Sequence, residues 1–258
     1  MSEPRRAGRG GYLAAAVALL LIFAATRRAF LLELPLFIDE ATGISRARDS
    51  LLGYPFEGLA HAKWLGTFIW SLFRPFGPET LWLVRAVVGL LAALTCASAV
   101  GLGQQLHSKG AGLLAGALYL LLPYAVFFDR QALADPLLAA CGTVMLVAAL
   151  RLARRPHAVT TVVTGAALAA AVLSKFSGAV LVPVPLLTAL VMAPPGGRKK
   201  ALIHALLATL LAGAVMLGVF VAADRYLHSY QSILRPAYTW RWFIRHTEVG
   251  PDAASTVD

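Results

Sequence analysis

The sequence predicts an all-α fold, a polytopic membrane bundle of about seven transmembrane helices with two interfacial helices in the first outer loop. Three observations lead there. The chain is 59% hydrophobic and 14% charged, with a mean hydropathy of +0.71, whereas soluble domains carry about a quarter charged residues. Seven apolar runs recur, at 12–26, 80–104, 111–128, 134–150, 158–173, 178–193 and 201–223. Basic residues gather in short stretches between them. The formal charge of +10 therefore has its cause in anionic headgroups and the positive-inside rule, and nucleic acid is not an expected partner.

Taken in order, residues 1–11 carry Arg5, Arg6 and Arg9 ahead of the first run. That pattern resembles a signal peptide, with Ala24-Ala25 as a small-residue cleavage site. An uncleaved anchor is the expectation, because the run resumes at Ala29 after Arg27-Arg28, whose long stems snorkel to the interface. The first outer loop, 33–79, opens with Asp39-Glu40. Ala41, Ile44, Ala47, Leu51 and Leu52 then form one helical stripe, ended by Gly53-Tyr54-Pro55. A second stripe of Leu65, Phe68, Ile69, Leu72, Phe73 and Phe76 follows Lys63-Trp64, with Thr67, Ser71 and Arg74 on its other face. At about thirteen residues it is too short to span and lies in the interface plane. The remaining runs are spans, several short or containing Pro136, Pro183 or Pro185, which a bundle tolerates. A module over 1–223 and an outer-face tail over 224–258 complete the expected organisation. Cys96 and Cys141 both fall inside apolar runs, so no disulfide framework is expected.

Ten of the 23 Lys and Arg residues fall in four short stretches: Arg5, Arg6 and Arg9; Lys109; Arg151, Arg154 and Arg155; Arg198, Lys199 and Lys200. Density of this kind orients a chain with its N-terminus in the cytoplasm. Twelve of the 13 acidic residues and all five tryptophans then lie on the outer side of the cell (inner) membrane. The outer returns of the chain bring back Lys63, Arg130, Asp135 and Lys175 to the depth of Asp39 and Glu40. Cations beside carboxylates at an interface suit a lipid-linked anionic substrate, since Lys and Arg hold phosphate while a carboxylate acts as base.

Asp39-Glu40-Ala41 after the first span, the surface helix after Lys63, Val84-Arg85-Ala86 opening the second span, Arg130 with Asp135-Pro136-Leu137-Leu138, and Leu173-Ser174-Lys175 together carry a resemblance. From about Leu19 to Leu187 the chain resembles the GT-C glycosyltransferases that use polyprenyl-phosphate sugars, in particular protein mannosyltransferases and lipid A aminoarabinose transferases. The resemblance implies an inverting glycosyltransferase with a polyprenyl-phosphate-linked sugar donor, membrane lipid around it, and a lipid, glycan or protein acceptor. It implies Asp39 as general base, Glu40 and Asp135 as further acidic residues of the site, and Lys63, Arg130, Lys175 and Arg85 as contacts to the substrate phosphate. No cofactor is implied; a divalent cation between phosphate and carboxylates is compatible with the chemistry, and no motif requires it. Family members usually continue with further spans, so a truncated or minimal member is the expectation.

Other readings of the same residues stay open at this point. Asp39 also fits the N-cap of a helix starting at Glu40. Arg130 and Asp135 fit a structural pair, Lys175 a snorkelling side chain, and Arg27, Arg28, Arg46 and Arg48 headgroup contacts. The histidines show no metal-ligand spacing. A transporter or flippase for a lipid or anionic solute, or a non-catalytic scaffold subunit, would use the same charges differently. A transport path places polar groups at several depths, whereas here they collect on one side.

Overall fold

The computed structural model describes residues 7–29, 31–60 and 62–226. The expectations for Arg5, Arg6, His61, Trp240, Trp242 and the tail from 227 onward lie outside the described residues. Eleven α-helices form among the described residues: α1 (Ala7–Arg28), α2 (Ile38–Leu51), α3 (Glu57–Ala60), α4 (Trp64–Ser71), α5 (Thr80–Leu106), α6 (Lys109–Leu121), α7 (Pro123–Phe128), α8 (Ala134–Arg154), α9 (Ala158–Ser174), α10 (Val184–Met192) and α11 (Arg198–Tyr226). Two compact units divide the chain, Met1–Gly213 and Ala214–Asp258. In the second the described residues are the C-terminal turns of α11; everything below concerns the first.

The protein is a helical membrane bundle. Four helical segments are long and apolar enough to cross a membrane, Gly10–Arg28, Thr80–Leu106, Ala134–Arg154 and Pro195–Ala223, and three shorter apolar ones are Lys109–Leu121, Ala158–Ser174 and Phe176–Met192. These coincide with the seven apolar runs of the sequence. Two runs break: in the third, α6 stops at Leu121, Leu122 is extended, and Pro123, which has no N–H to continue the ladder, opens α7, and in the sixth, 3-10 turns over Phe176–Leu181 precede α10. The loop 33–79 folds as α2 and α4, as its two stripes require, with the single turn of α3 between them. The second stripe is helical only to Ser71; Leu72–Phe76 closes in turns, with Arg74 at φ 47°. On α4 the buried face is Gly66, Thr67, Trp70 and Ser71; of the apolar stripe, Leu65 and Ile69 pack against the core while Phe68 and Leu72 turn outward, at 41% and 63% exposure. That is the arrangement expected of a helix lying on lipid.

Among the described residues, three apolar clusters stand out in the first unit. Ile44 and Ala47 of α2, Trp70 of α4, Val84 and Val88 of α5, and Leu137 of α8 pack together with Ala132 beneath the first loop. Phe23 of α1 meets Ala92 and Cys96 of α5. Leu152 of α8, Ala189 of α10 and Ala201, Ala205 and Ala208 of α11 form the third. Both cysteines are free.

The helices alternate in direction, so two ends can be followed. At one end Tyr12 donates to Gln104 Oε1 at 3.0 Å and Lys109 lies over the Tyr12 ring. At the other, the last turn of α1, the first turns of α2 and α5, the link before α8 and the link after α9 come together.

Candidate functional site

The site begins at the first turn of α2. Phe37 is its N-cap, so the helix starts at Ile38 and Asp39 is its second residue. The N-cap role considered for Asp39 is therefore not the one it has. Glu40, at the third position, reaches back and accepts from the Phe37 N–H at 3.0 Å, the half of a capping box that closes the entry to the helix.

Consecutive residues of a helix point about 100° apart, and here that turn separates the two carboxylates. Glu40 is wholly buried and Asp39 side chain is 52% exposed. Glu40 Oε1 accepts from Arg85 Nε at 2.9 Å and from the Ala132 N–H at 2.6 Å, and Oε2 accepts from Arg85 Nη2 at 2.7 Å. Arg85, also wholly buried, donates from Nη1 to the carbonyls of Leu31 (2.7 Å) and Leu34 (3.0 Å), and from Nη2 to Pro35 (3.2 Å). All five N–H donors of the guanidinium thus have an acceptor. The hydrogen-bonding groups of Glu40 and Arg85 are thus spent on each other and on backbone groups, away from the cleft that Asp39 faces. Together they tie the start of the first loop, the first turn of α2 and the segment before α8 to α5. Ala132 is held from its other side as well, its carbonyl accepting from Trp70 Nε1 at 3.3 Å.

Asp39 opens instead onto a small cleft of about 30 Å³, lined by Gly43, Arg46, Lys63, Thr67, Trp70 and residues 132–134 among others. That is room for about one water. Lys63 Nζ lies 3.5 Å from Asp39 Oδ2, with both side chains partly exposed. Arg46 was expected to be a headgroup contact, and the structure brings it to this cleft. The available signal was spacing: Asp39, Gly43 and Arg46 stand at i, i+4 and i+7, on one face of α2.

A second pair lies beside the first. Lys175, immediately after α9, donates to Asp135 Oδ1 at 2.7 Å, and Asp135 is in the first turn of α8. The two pairs are joined through the backbone, since the Phe176 N–H donates to the Ala62 carbonyl at 3.0 Å. Ala62 has a left-handed φ of 57°, a conformation that costs a residue with a Cβ about 1 to 2 kcal/mol. The strain sits one residue before Lys63, where local strain marks a turn that the surrounding structure enforces. Asp39, Lys63, Asp135 and Lys175 therefore converge at one end of the bundle.

Arg130 goes elsewhere. Its Nη2 donates to the Thr26 carbonyl at 2.8 Å, at the end of α1, and it lines a different cavity. Its neighbour Asp129 is paired with Arg27 (3.4 Å) and accepts from Tyr119 Oη at 3.0 Å. Burial pushes the Asp129 carboxyl above its ordinary value, with the Tyr119 hydrogen bond and the Arg27 charge pulling it back. Arg27 is only 2% exposed, also donates to the Leu120 carbonyl, and lies over the Phe23 ring. The snorkelling expected of Arg27 is thereby corrected: a buried acidic partner, invisible at a separation of about a hundred residues, draws it inward. Arg28 remains exposed, and Arg48 Nε donates to the Pro75 carbonyl. Among the described residues no group of three or more His, Cys, Asp or Glu is arranged to hold a metal ion.

Comparison with known proteins adds one match. No curated protein and no solved structure is similar enough to be matched. The sequence does match the family described as dolichyl-phosphate-mannose-protein mannosyltransferase over residues 61–222. The matched span contains Lys63, Arg85, Arg130, Asp135 and Lys175 and begins after Asp39. It covers more than half of the chain, and the protein belongs to the dolichyl-phosphate-mannose-protein mannosyltransferase family, membrane glycosyltransferases of the GT-C kind.

Proposed function

We propose that this chain moves a sugar from a polyprenyl-phosphate donor to an acceptor hydroxyl at the outer face of the cell membrane, with its N-terminus in the cytoplasm. The observation that carries the proposal is the division of labour between neighbours. Glu40 is buried and saturated, whereas Asp39 is exposed in a cleft shared with Lys63 and Arg46, one backbone hydrogen bond away from the Asp135–Lys175 pair.

In this reaction the acceptor oxygen attacks the anomeric carbon as the bond from that carbon to the phosphate oxygen breaks, so the configuration inverts. Asp39 takes the hydroxyl proton and the lipid phosphate leaves as an anion. Lys63, drawn from Asp39 to the donor phosphate, frees the carboxylate and stabilises charge that grows in the transition state. Interactions of that kind raise rate as well as affinity. Lys175, neutralised by Asp135 until the donor arrives, and Arg46 supply further positive charge. The polyprenyl tail lies in the outer leaflet, which fixes the phosphate at the depth of these cations.

The test is Asp39→Asn. Asp39 caps nothing, so the exchange leaves the helix start to Phe37 and Glu40 and forgoes only a carboxylate near the helix dipole, about 0.3 to 1 kcal/mol. Transfer of labelled mannose from polyprenyl-phosphate mannose should fall by about two to four orders of magnitude, the usual worth of a positioned base, while thermal unfolding in detergent is nearly unchanged. Wild-type-like transfer by Asp39→Asn membranes would remove Asp39 from the mechanism.

A further inference from the structure

The break between α6 and α7 leaves a cavity of about 340 Å³, lined by Leu34, Leu121, Pro123, Val126, Phe127 and Arg130. It shares no lining residue with the Asp39 cleft. The Gln131-Ala132 segment stands between the two, pinned by the Ala132 N–H to Glu40. Five of the six lining residues are apolar, and Leu121 and Phe127 are 71% and 44% exposed, so the cavity opens on the lipid-facing side of the bundle. The sixth residue is a cation. Arg130 has one nitrogen on the Thr26 carbonyl, but its Nε is buried without a hydrogen-bond partner. A buried donor left unpaired is unfavourable, and an anionic acceptor satisfies it best. Arg27, next to it in space through α1, differs in this respect, because Asp129 and the Leu120 carbonyl already hold it.

An apolar cavity with an under-satisfied guanidinium at its mouth is complementary to a molecule with a hydrocarbon chain and a phosphate. We propose that this cavity is a binding site for a membrane glycerophospholipid, one acyl chain lying against Leu121, Val126 and Phe127 and the phosphate accepting from the Arg130 guanidinium. The site is separate from that of the sugar donor, whose phosphate must reach the Asp39 cleft that Arg130 does not line. A lipid held there bridges the end of α1, through the Thr26 carbonyl that Arg130 also grips, to the α6–α7 break. It works as a resident structural lipid.

The full chain, purified and stripped of lipid in detergent, is titrated with dioleoyl phosphatidylglycerol and with dioleoylglycerol, reading bound lipid by native mass spectrometry and unfolding temperature by thermal shift. The phosphatidylglycerol should bind about ten- to a hundredfold more tightly, the worth of a charge-assisted hydrogen bond, and should raise the unfolding temperature. Arg130→Gln should abolish that preference, and Val126→Trp, which fills the cavity, should weaken both lipids. Lys63→Gln, in the other cleft, should leave phosphatidylglycerol binding unchanged. Equal binding of the two lipids, or an unaltered preference in a folded Arg130→Gln protein, overturns the proposal. So does loss of phosphatidylglycerol binding in Lys63→Gln, or its displacement by undecaprenyl phosphate at equimolar concentration, because either outcome makes this the donor's own site.

Discussion

Asp39 and Glu40 show how much one residue of helical rotation decides. Both are carboxylates in the first turn of α2, yet only Glu40 faces the bundle, where Arg85 and the Ala132 N–H complete its hydrogen bonds. A buried ion pair contributes little net stability relative to an apolar pair of the same shape, but removing one partner leaves an uncompensated charge at a cost of about 3 to 5 kcal/mol. Glu40→Ala should therefore lower stability by about that amount in denaturant unfolding of the detergent-solubilised protein. Asp39→Ala breaks only a half-exposed contact to Lys63, worth at most about 1 kcal/mol. Comparable losses in the two variants would mean that the Arg85 node does not hold the loop.

At the scale of elements, α5 and α6 approach each other backbone to backbone. A Cβ added at Gly112 would lie 2.5 Å from the Val100 carbonyl oxygen, and one at Gly103 would lie 2.7 Å from that of Ala111. These are backbone atoms, which cannot swing aside. In lipid, helices gain little from apolar contact alone, and small residues allow the close backbone approach that dispersion and weak hydrogen bonds need. Gly112→Val should force the two helices apart and cost about 1 to 3 kcal/mol, the usual range for overpacking. Gly213→Val, where a Cβ meets nothing within 4 Å, is the control on thermal unfolding; an equal loss in both would deny the close packing of α5 on α6. α6 leads into α7, so its alignment on α5 also sets where α7 and the Arg130 segment emerge.

For the molecule as a whole, the charged groups divide between two ends of the bundle. Asp39, Lys63, Asp135 and Lys175 share one, while Arg151 lies in the last turn of α8, which runs away from it, and Lys109 opens α6 beside Tyr12 at the other. Short loops dense in Lys and Arg remain in the cytoplasm, and on that ground we propose that the Asp39 end faces outside. Single cysteines introduced at Ser45 and at Lys199, both exposed, in a background with Cys96 and Cys141 changed to serine, test this in sealed cells. A membrane-impermeant maleimide should label the first and leave the second unreacted until the membrane is opened. Labelling of both from outside would break the proposed topology and remove the outer-face reaction with it.

Membrane class, helical architecture and the positions of the seven apolar segments were settled by composition and periodicity, because each span must satisfy its backbone and its lipid contacts within its own sequence. The two loop helices were legible for the same local reason. Which charges serve one another was not. Glu40 is 45 residues from Arg85 and Arg27 is 102 from Asp129, and whether a charge is exposed or paired depends on partners brought up by other helices. Periodicity could have joined Arg46 to Asp39 on one face of α2. It could not have sent Arg130, five residues before Asp135, to a separate cavity, since that depends on where α6 breaks and on the Thr26 carbonyl at the end of α1. Sequence fixes the face a side chain occupies on its own helix, and the packing of the other helices fixes what that face meets.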